Sequence, residues 1–232
     1  MKRIVAMVSG GGSNLQAILD GCAAGEIEGR VVGVISSAAK AFALERGQLC
    51  GAETLALPLR SFPDRAACDA ARHEALVRLE PDLIVLAGYL GIVPVQSVAR
   101  FRGRILNIHP ALIPKFCGKG MYGHHVHEAV LAAGEAISGA TVHFVDEGTD
   151  TGPIVFQDTV PVLPEDTADS LAARVLKVEH RLLPLAVKLF CADRLCQRGG
   201  RAEIRDPGEA RGEIERLGYR LEDDIWARGA TR

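Results

Sequence analysis

The chain carries few of the features that would tie it to a secreted, membrane-bound or nucleic-acid-bound life. Its six cysteines, Cys22, Cys50, Cys68, Cys117, Cys191 and Cys196, are scattered over 232 residues with no CxxC pair, which excludes a disulfide scaffold and points to a reduced, cytoplasmic protein. Neither sign of charge dominates: the formal net charge is −2, too small to recruit nucleic acid or an anionic membrane by bulk electrostatics. Long apolar runs are missing as well. The longest, LIVLAGYLGIVPV at residues 83–95, is broken by Gly88, Gly91 and Pro94 and is too short to cross a bilayer. Before the first glycines only IVAMV is apolar, less than a secretory peptide needs. No internal repeat and no low-complexity segment interrupts the sequence. Small-molecule chemistry is the class left.

What is present is an alternation. Short runs that are apolar at nearly every position, RIVAMV (3–8), RVVGVIS (30–36), ETLALP (53–58), DLIVLAG (82–88) and GRILNIHP (103–110), are mostly followed by stretches with apolar groups at helical spacing. Strands apolar throughout and followed by helices predict an α/β fold with a mostly parallel twisted sheet flanked by helices. GATVHFVDE (139–147) and GPIVFQDTVPV (152–162) are separated only by a Gly/Thr/Asp turn, so they are expected to pair as an antiparallel extension. A long amphipathic helix is expected from Thr167 to Phe190. From Gln197 onward eight basic and eight acidic residues fall within 36, which reads as a solvated tail with at most a short strand or helix of its own. The expected organisation is one domain over residues 1–195 and a charged extension over 196–232.

Two stretches carry chemistry. VSGGGSNLQAIL (8–19) is a strand end, a glycine turn and a helix start, where free N–H groups and the helix dipole favour an anion. The turn lacks the Lys of a triphosphate loop, and Gln16 stands where a dinucleotide fingerprint needs its last glycine. A monophosphate cradle and a simple packing turn remain open, and Asn14 is either the helix N-cap or a ligand donor. In LNIHPALIPKF (106–116), Asn107 and His109 are two apart on a strand and so share a face at its carboxyl end, where an amide donor and an imidazole can hold a developing oxyanion. An ordinary strand end has the same look. Asp146, Glu147 and Asp150 crowd one turn; a carboxylate beside His109 would favour its charged form. His124, His125, His127 and Glu128 lack the spacing of a helical zinc site, and no metal is expected.

Taken in order, SGGGSNLQAIL, VLAGYL, LNIHPALIPKF, ATVHFVDEGTDTGPIVFQ and EHRLLPLAV resemble the folate-dependent phosphoribosylglycinamide formyltransferases of purine synthesis, over Met1 to about Leu195. The resemblance implies a Rossmann-like formyltransferase fold and a reaction in which the ribonucleotide amine attacks the formyl carbon of 10-formyltetrahydrofolate, a co-substrate, with no metal. It implies that Asn107 and His109 hold the oxygen of the tetrahedral intermediate, while Asp150 raises the histidine's pKa and relays protons through water. Gly11, Gly12, Ser13 and Asn14 would hold the ribonucleotide phosphate, with Pro110 and Glu179 also facing that substrate. Folate would meet Arg65, Leu90, Gly91, Ile92, Val93, Asp146 and Glu147. Two departures stand out: many family members have Met-Arg where this chain has Leu90 and Gly91, and CGKGMYGHHVH (117–127) is longer than the commonest loop, so no ligand contacts are carried over there. The implied partners are small molecules, with no nucleic acid and no membrane, acting on a monomer or homodimer. A deformylase would bring an added N-terminal domain and a methionyl-tRNA formyltransferase a C-terminal barrel, neither of which is expected here.

Overall fold

The computed structural model describes the backbone of residues 1–222 and 225–228 and the side chains of residues 1–220. Its centre is a seven-stranded sheet. The first half is built from β1 (Lys2–Val8), α1 (Ser13–Ala23), β2 (Gly29–Ser36), α2 (Phe42–Leu49), β3 (Glu53–Ala56), α3 (Arg65–Leu79) and β4 (Leu83–Leu86). The second half adds α4 (Val95–Arg100), β5 (Ile105–His109), α5 (His124–Ala132), β6 (Ile137–Phe144), β7 (Ile154–Pro161) and α6 (Ala168–Cys191). The strand order is β3-β2-β1-β4-β5-β6-β7; β1 to β5 run parallel, and β6 and β7 pair antiparallel, as their adjacency in sequence predicts. The order turns back between β1 and β4, and ligands of such sheets sit outside the carboxyl ends at that reversal.

The parallel strands are continuously apolar because both faces are covered. Ile4 to Val8 and Leu83 to Leu86 are buried without a break. One face packs Ile4, Ala6 and Val8 with Leu15 and Ile18 of α1 and Leu182, Leu183 and Ala186 of α6. The other packs Val5 and Met7 with Leu76 and Leu79 of α3 and Val98 of α4. Helix α6 starts at a capping box: Thr167 Oγ1 accepts from the Ser170 N–H, and the Ser170 hydroxyl accepts from the Thr167 N–H, which fixes where the helix begins beside the sheet.

Beyond residue 194 the structure corrects the expectation of a solvated tail. β8 (Leu195–Arg198), β9 (Arg201–Ile204), α7 (Arg211–Arg216), β10 (Tyr219–Glu222) and β11 (Ile225–Arg228) follow, with the strands forming an antiparallel sheet in the order β10-β11-β9-β8. Arg198, Arg201 and Arg220 are exposed, but Ile204, Ile214, Leu217 and Tyr219 are buried in the same core as α6, and the Tyr219 ring meets Phe156 of β7 edge-on at 5.4 Å. A few apolar side chains spaced among the charges suffice to dock the segment.

Candidate active site

At the end of β1 the chain turns through three glycines. Gly12 has φ +74, and a Cβ there would lie 2.5 Å from that of Ala43, so both the backbone conformation and the close approach of α2 require glycine. Gly12 is the N-cap of α1, so Asn14 does not cap the helix. Its side chain is buried and donates from Nδ2 to Glu179 Oε2 at 2.7 Å, which ties the glycine turn to α6. Burial raises the Glu179 carboxyl above its ordinary value against the opposing pull of Asn14. From α2, Arg46 donates to the Gly11 carbonyl at 2.9 Å and to Gln16 Oε1 at 2.6 Å, bracing the turn from behind.

Asn107, His109 and Asp150 do converge. Strand alternation brings Asn107 and His109 to one face of β5, and the turn after β6 folds Asp150 over them. His109 is 4% exposed; its Nδ1 lies 3.7 Å from Asp150 Oδ2, and its Nε2 donates to the Phe116 carbonyl at 2.8 Å. Asn107 Nδ2 is 3.4 Å from Asp150 Oδ1. Asp150 has φ +57, a left-handed conformation that costs a non-glycine residue about 1 kcal/mol or more and is maintained where the surroundings impose it. Asp150 Oδ2 accepts the Gly118 N–H at 3.0 Å.

A fourth residue, His143, completes the group and was not singled out from the sequence. It stands opposite Asn107 in the β5–β6 register. Its Nδ1 lies 2.9 Å from the Phe144 carbonyl, and its Nε2 lies 3.0 Å from Asn107 Nδ2 and 3.6 Å from Asp150 Oδ1. The Asn107 amide is thus held between His143 and Asp150.

Burial is the largest influence on His109 and pushes its pKa down; the Phe116 carbonyl and Asp150 both pull it upward, Asp150 in the direction the resemblance implies, without restoring the ordinary value. The net shift favours the uncharged imidazole. Burial pushes Asp150 up, but His143, the Gly118 N–H and His109 outweigh it and hold the carboxyl below its ordinary value.

These groups line a cavity of about 710 Å³ beyond the carboxyl ends of β4 and β5. Leu90, Gly91, Ile92 and Val93 form one wall, with Leu90 and Ile92 more than half exposed. Pro110, Asp146, Glu147, Asp150 and Glu179 line it too. Asp146 is occupied in its own turn, accepting from the Gly148 N–H and the Thr151 hydroxyl, and Glu147 pairs with Arg102. Of the remaining expected residues, Arg65 lies outside the wall, paired with Asp69 and reaching the Ile92 carbonyl at 3.4 Å. Gly11 opens onto a neighbouring cavity of about 670 Å³, and Asn14 joins the large one only through Glu179. At the departure noted above, a Cβ on Gly91 would lie 2.7 Å from the Tyr89 ring and hydroxyl, so this wall has no room for a side chain there as Tyr89 now stands. Among the described residues no group of three or more His, Cys, Asp or Glu is placed to hold a metal ion. His124 and His125 instead pair with Glu128, and His124 also with Asp169.

An amide and an imidazole beside a carboxylate, lining one cavity, suit transfer at a carbonyl carbon, and the chain belongs to the formyl transferase family, whose model matches residues 2–187. Within it, the chain is 41% identical over 192 residues to the phosphoribosylglycinamide formyltransferase of Escherichia coli strain K12, covering 83% of this chain and 88% of that protein. It is 39% identical to the chloroplastic phosphoribosylglycinamide formyltransferase of Vigna unguiculata, covering 85% of this chain but only 63% of that longer protein. Glycinamide ribonucleotide transformylase 1 from Symbiobacterium toebii shares the fold with a TM-score of 0.82 at 45% identity, over 88% of this chain and 94% of that one. Among the described residues no helix is long and apolar enough to cross a membrane.

Proposed function

We propose that the chain transfers the formyl group of 10-formyltetrahydrofolate to the amine of phosphoribosylglycinamide, a step of purine biosynthesis. The observation that carries this reading is the convergence of Asn107, His109 and Asp150 at one end of a single cavity. The amine nitrogen attacks the formyl carbon, the new N–C bond sends the carbonyl electrons to oxygen, and Asn107 Nδ2 and His109 Nε2–H stabilise that oxygen as its charge grows. An oxygen already sits where the histidine donates: the Phe116 carbonyl, which the substrate oxygen replaces. Asp150, kept ionised, accepts the proton the amine loses and returns it through water to the folate nitrogen as the C–N bond breaks and tetrahydrofolate leaves. No metal ion enters the scheme.

In this reading the turn Gly11, Gly12, Ser13 and the first N–H groups of α1 hold the phosphate, and Glu179 takes a hydroxyl of the ribonucleotide. The exposed apolar side chains of Leu90 and Ile92 support a place for the folate ring system, with Gly91, Val93 and the backbone of the 146–150 turn around it and Arg65 at the rim. In this reading residues 1–195 carry the reaction, and Ile204, Ile214, Leu217 and Tyr219 of the following segment buttress them. A cytoplasmic setting belongs to the same proposal and fits six unpaired cysteines.

The test incubates the full chain with 10-formyltetrahydrofolate and follows tetrahydrofolate release. Release only when the ribonucleotide is added is expected. Release without it would mean hydrolysis and overturn the proposal, as would no release at all.

A further inference from the structure

His127 is absent from the scheme above, yet it is the most conspicuous unused group in the cavity wall. It sits in the first turn of α5, is 5% exposed, and its ring contributes to the lining together with Glu179 of the neighbouring α6. Its Nδ1 is buried with no hydrogen-bond partner. The adjacent His124 and His125 are both engaged by carboxylates, so of the three histidines that open α5 this one alone has a buried nitrogen without a partner.

A buried polar group without a partner costs about 1–3 kcal/mol, and native structures leave few of them. The unpartnered Nδ1 therefore decides where the ring keeps its hydrogen. The ring has one hydrogen to place. A sealed Nδ1 strands a donor at greater cost than an acceptor, so the hydrogen belongs on Nε2, leaving a single N–H donor for the cavity side. The ring does not serve as an acid near neutral pH: burial, with His124 and His109 as like-charged neighbours when protonated, pushes its pKa down to about 4. What it offers is an uncharged donor at constant strength across the physiological range.

We infer that His127 is a further substrate-binding residue, whose Nε2–H donates to a sugar hydroxyl of the ribonucleotide while the same diol is read by Glu179. The chemistry of the pair matches such a partner. A hydroxyl both donates and accepts, Glu179 presents an acceptor, and His127 presents a donor from the helix packed beside it. This rests on the proposed function, because it takes the occupant of that wall to be the ribonucleotide.

The experiment compares the full-length chain with its His127→Leu and His127→Gln variants. Ribonucleotide affinity is measured by calorimetry without folate, and KM and kcat are measured with both substrates. His127→Leu is expected to raise the ribonucleotide Kd and KM about three- to tenfold, the scale of one uncharged hydrogen bond, with the folate KM and kcat within twofold; His127→Gln, which keeps an N–H donor, should recover most of the loss. Deleting the sugar hydroxyl from the ribonucleotide should weaken binding to the unaltered chain more than to the Leu variant, in which only the Glu179 contact is left to lose. If the unaltered chain binds and transfers normally but the Leu variant binds ribonucleotide equally well, this inference falls alone. Equal losses in Leu and Gln, or a lowered melting temperature with kcat and both KM values changed together, would show a packing role and also overturn it. Should the unaltered chain fail to bind the ribonucleotide, the functional reading falls with it.

Discussion

Two histidines in this molecule sit beside carboxylates and respond in opposite ways. His109, closed in between β5 and the turn that carries Asp150, has its pKa pushed down by burial in spite of the carboxylate 3.7 Å away. His124, on the open first turn of α5, has its pKa raised by hydrogen bonds to Asp169 and Glu128. What a carboxylate does to a nearby imidazole is therefore decided by how much water both have lost, and proximity in sequence or space does not settle it. The buried site keeps an uncharged donor ready for an oxygen. The open one merely pairs charges.

The largest expected effect tests the buried side of this contrast: His109→Ala or Asn107→Ala should each lower kcat by about 100-fold or more with the melting temperature little changed, since each removes one donor to the developing oxyanion. Wild-type turnover in either would break the comparison. Asp150→Asn comes next, lowering kcat by about 100-fold through loss of the proton acceptor, and it should move the His109 titration, followed by NMR, further down because one upward pull has gone. A third effect concerns stability. With its folded pKa below the unfolded value near 6.5, His109 loses stability for the fold as pH falls from 6.5 toward that lower value, because the unfolded chain binds the proton first; the open His124 has the opposite sign, stabilising below 6.5 and losing that contribution as pH rises through its raised folded value. Chemical denaturation at pH 5 and pH 7 of His109→Gln and His124→Gln should show the two slopes changing in opposite directions. Ser13→Ala should raise the ribonucleotide KM severalfold without lowering kcat, as a contact remote from the reacting carbon does. Least of all, His124→Ala should leave kcat within about twofold, as befits an exposed ion pair.

The sheet was legible in the sequence because strands buried on both faces cannot afford polar positions, so RIVAMV and DLIVLAG announce themselves, and so does the shared face of Asn107 and His109. The C-terminal sheet was not, since its anchors Ile204, Ile214 and Leu217 are outnumbered by the charges around them. His143 needed the β5–β6 register, which sets it opposite Asn107 only once the pairing is known. The role of Asn14 needed a partner 165 residues away, and the direction of the His109 shift needed burial, neither of which a linear pattern records.

That long-range hydrogen bond has a consequence for the order in which this protein comes into being. Because Asn14 near the start of the chain meets Glu179 on the last helix of the main sheet, a nascent polypeptide still lacking α6 has an open cavity, missing the Glu179 side, however well its first strands have paired. The cavity is walled only once α6 has been made and has docked.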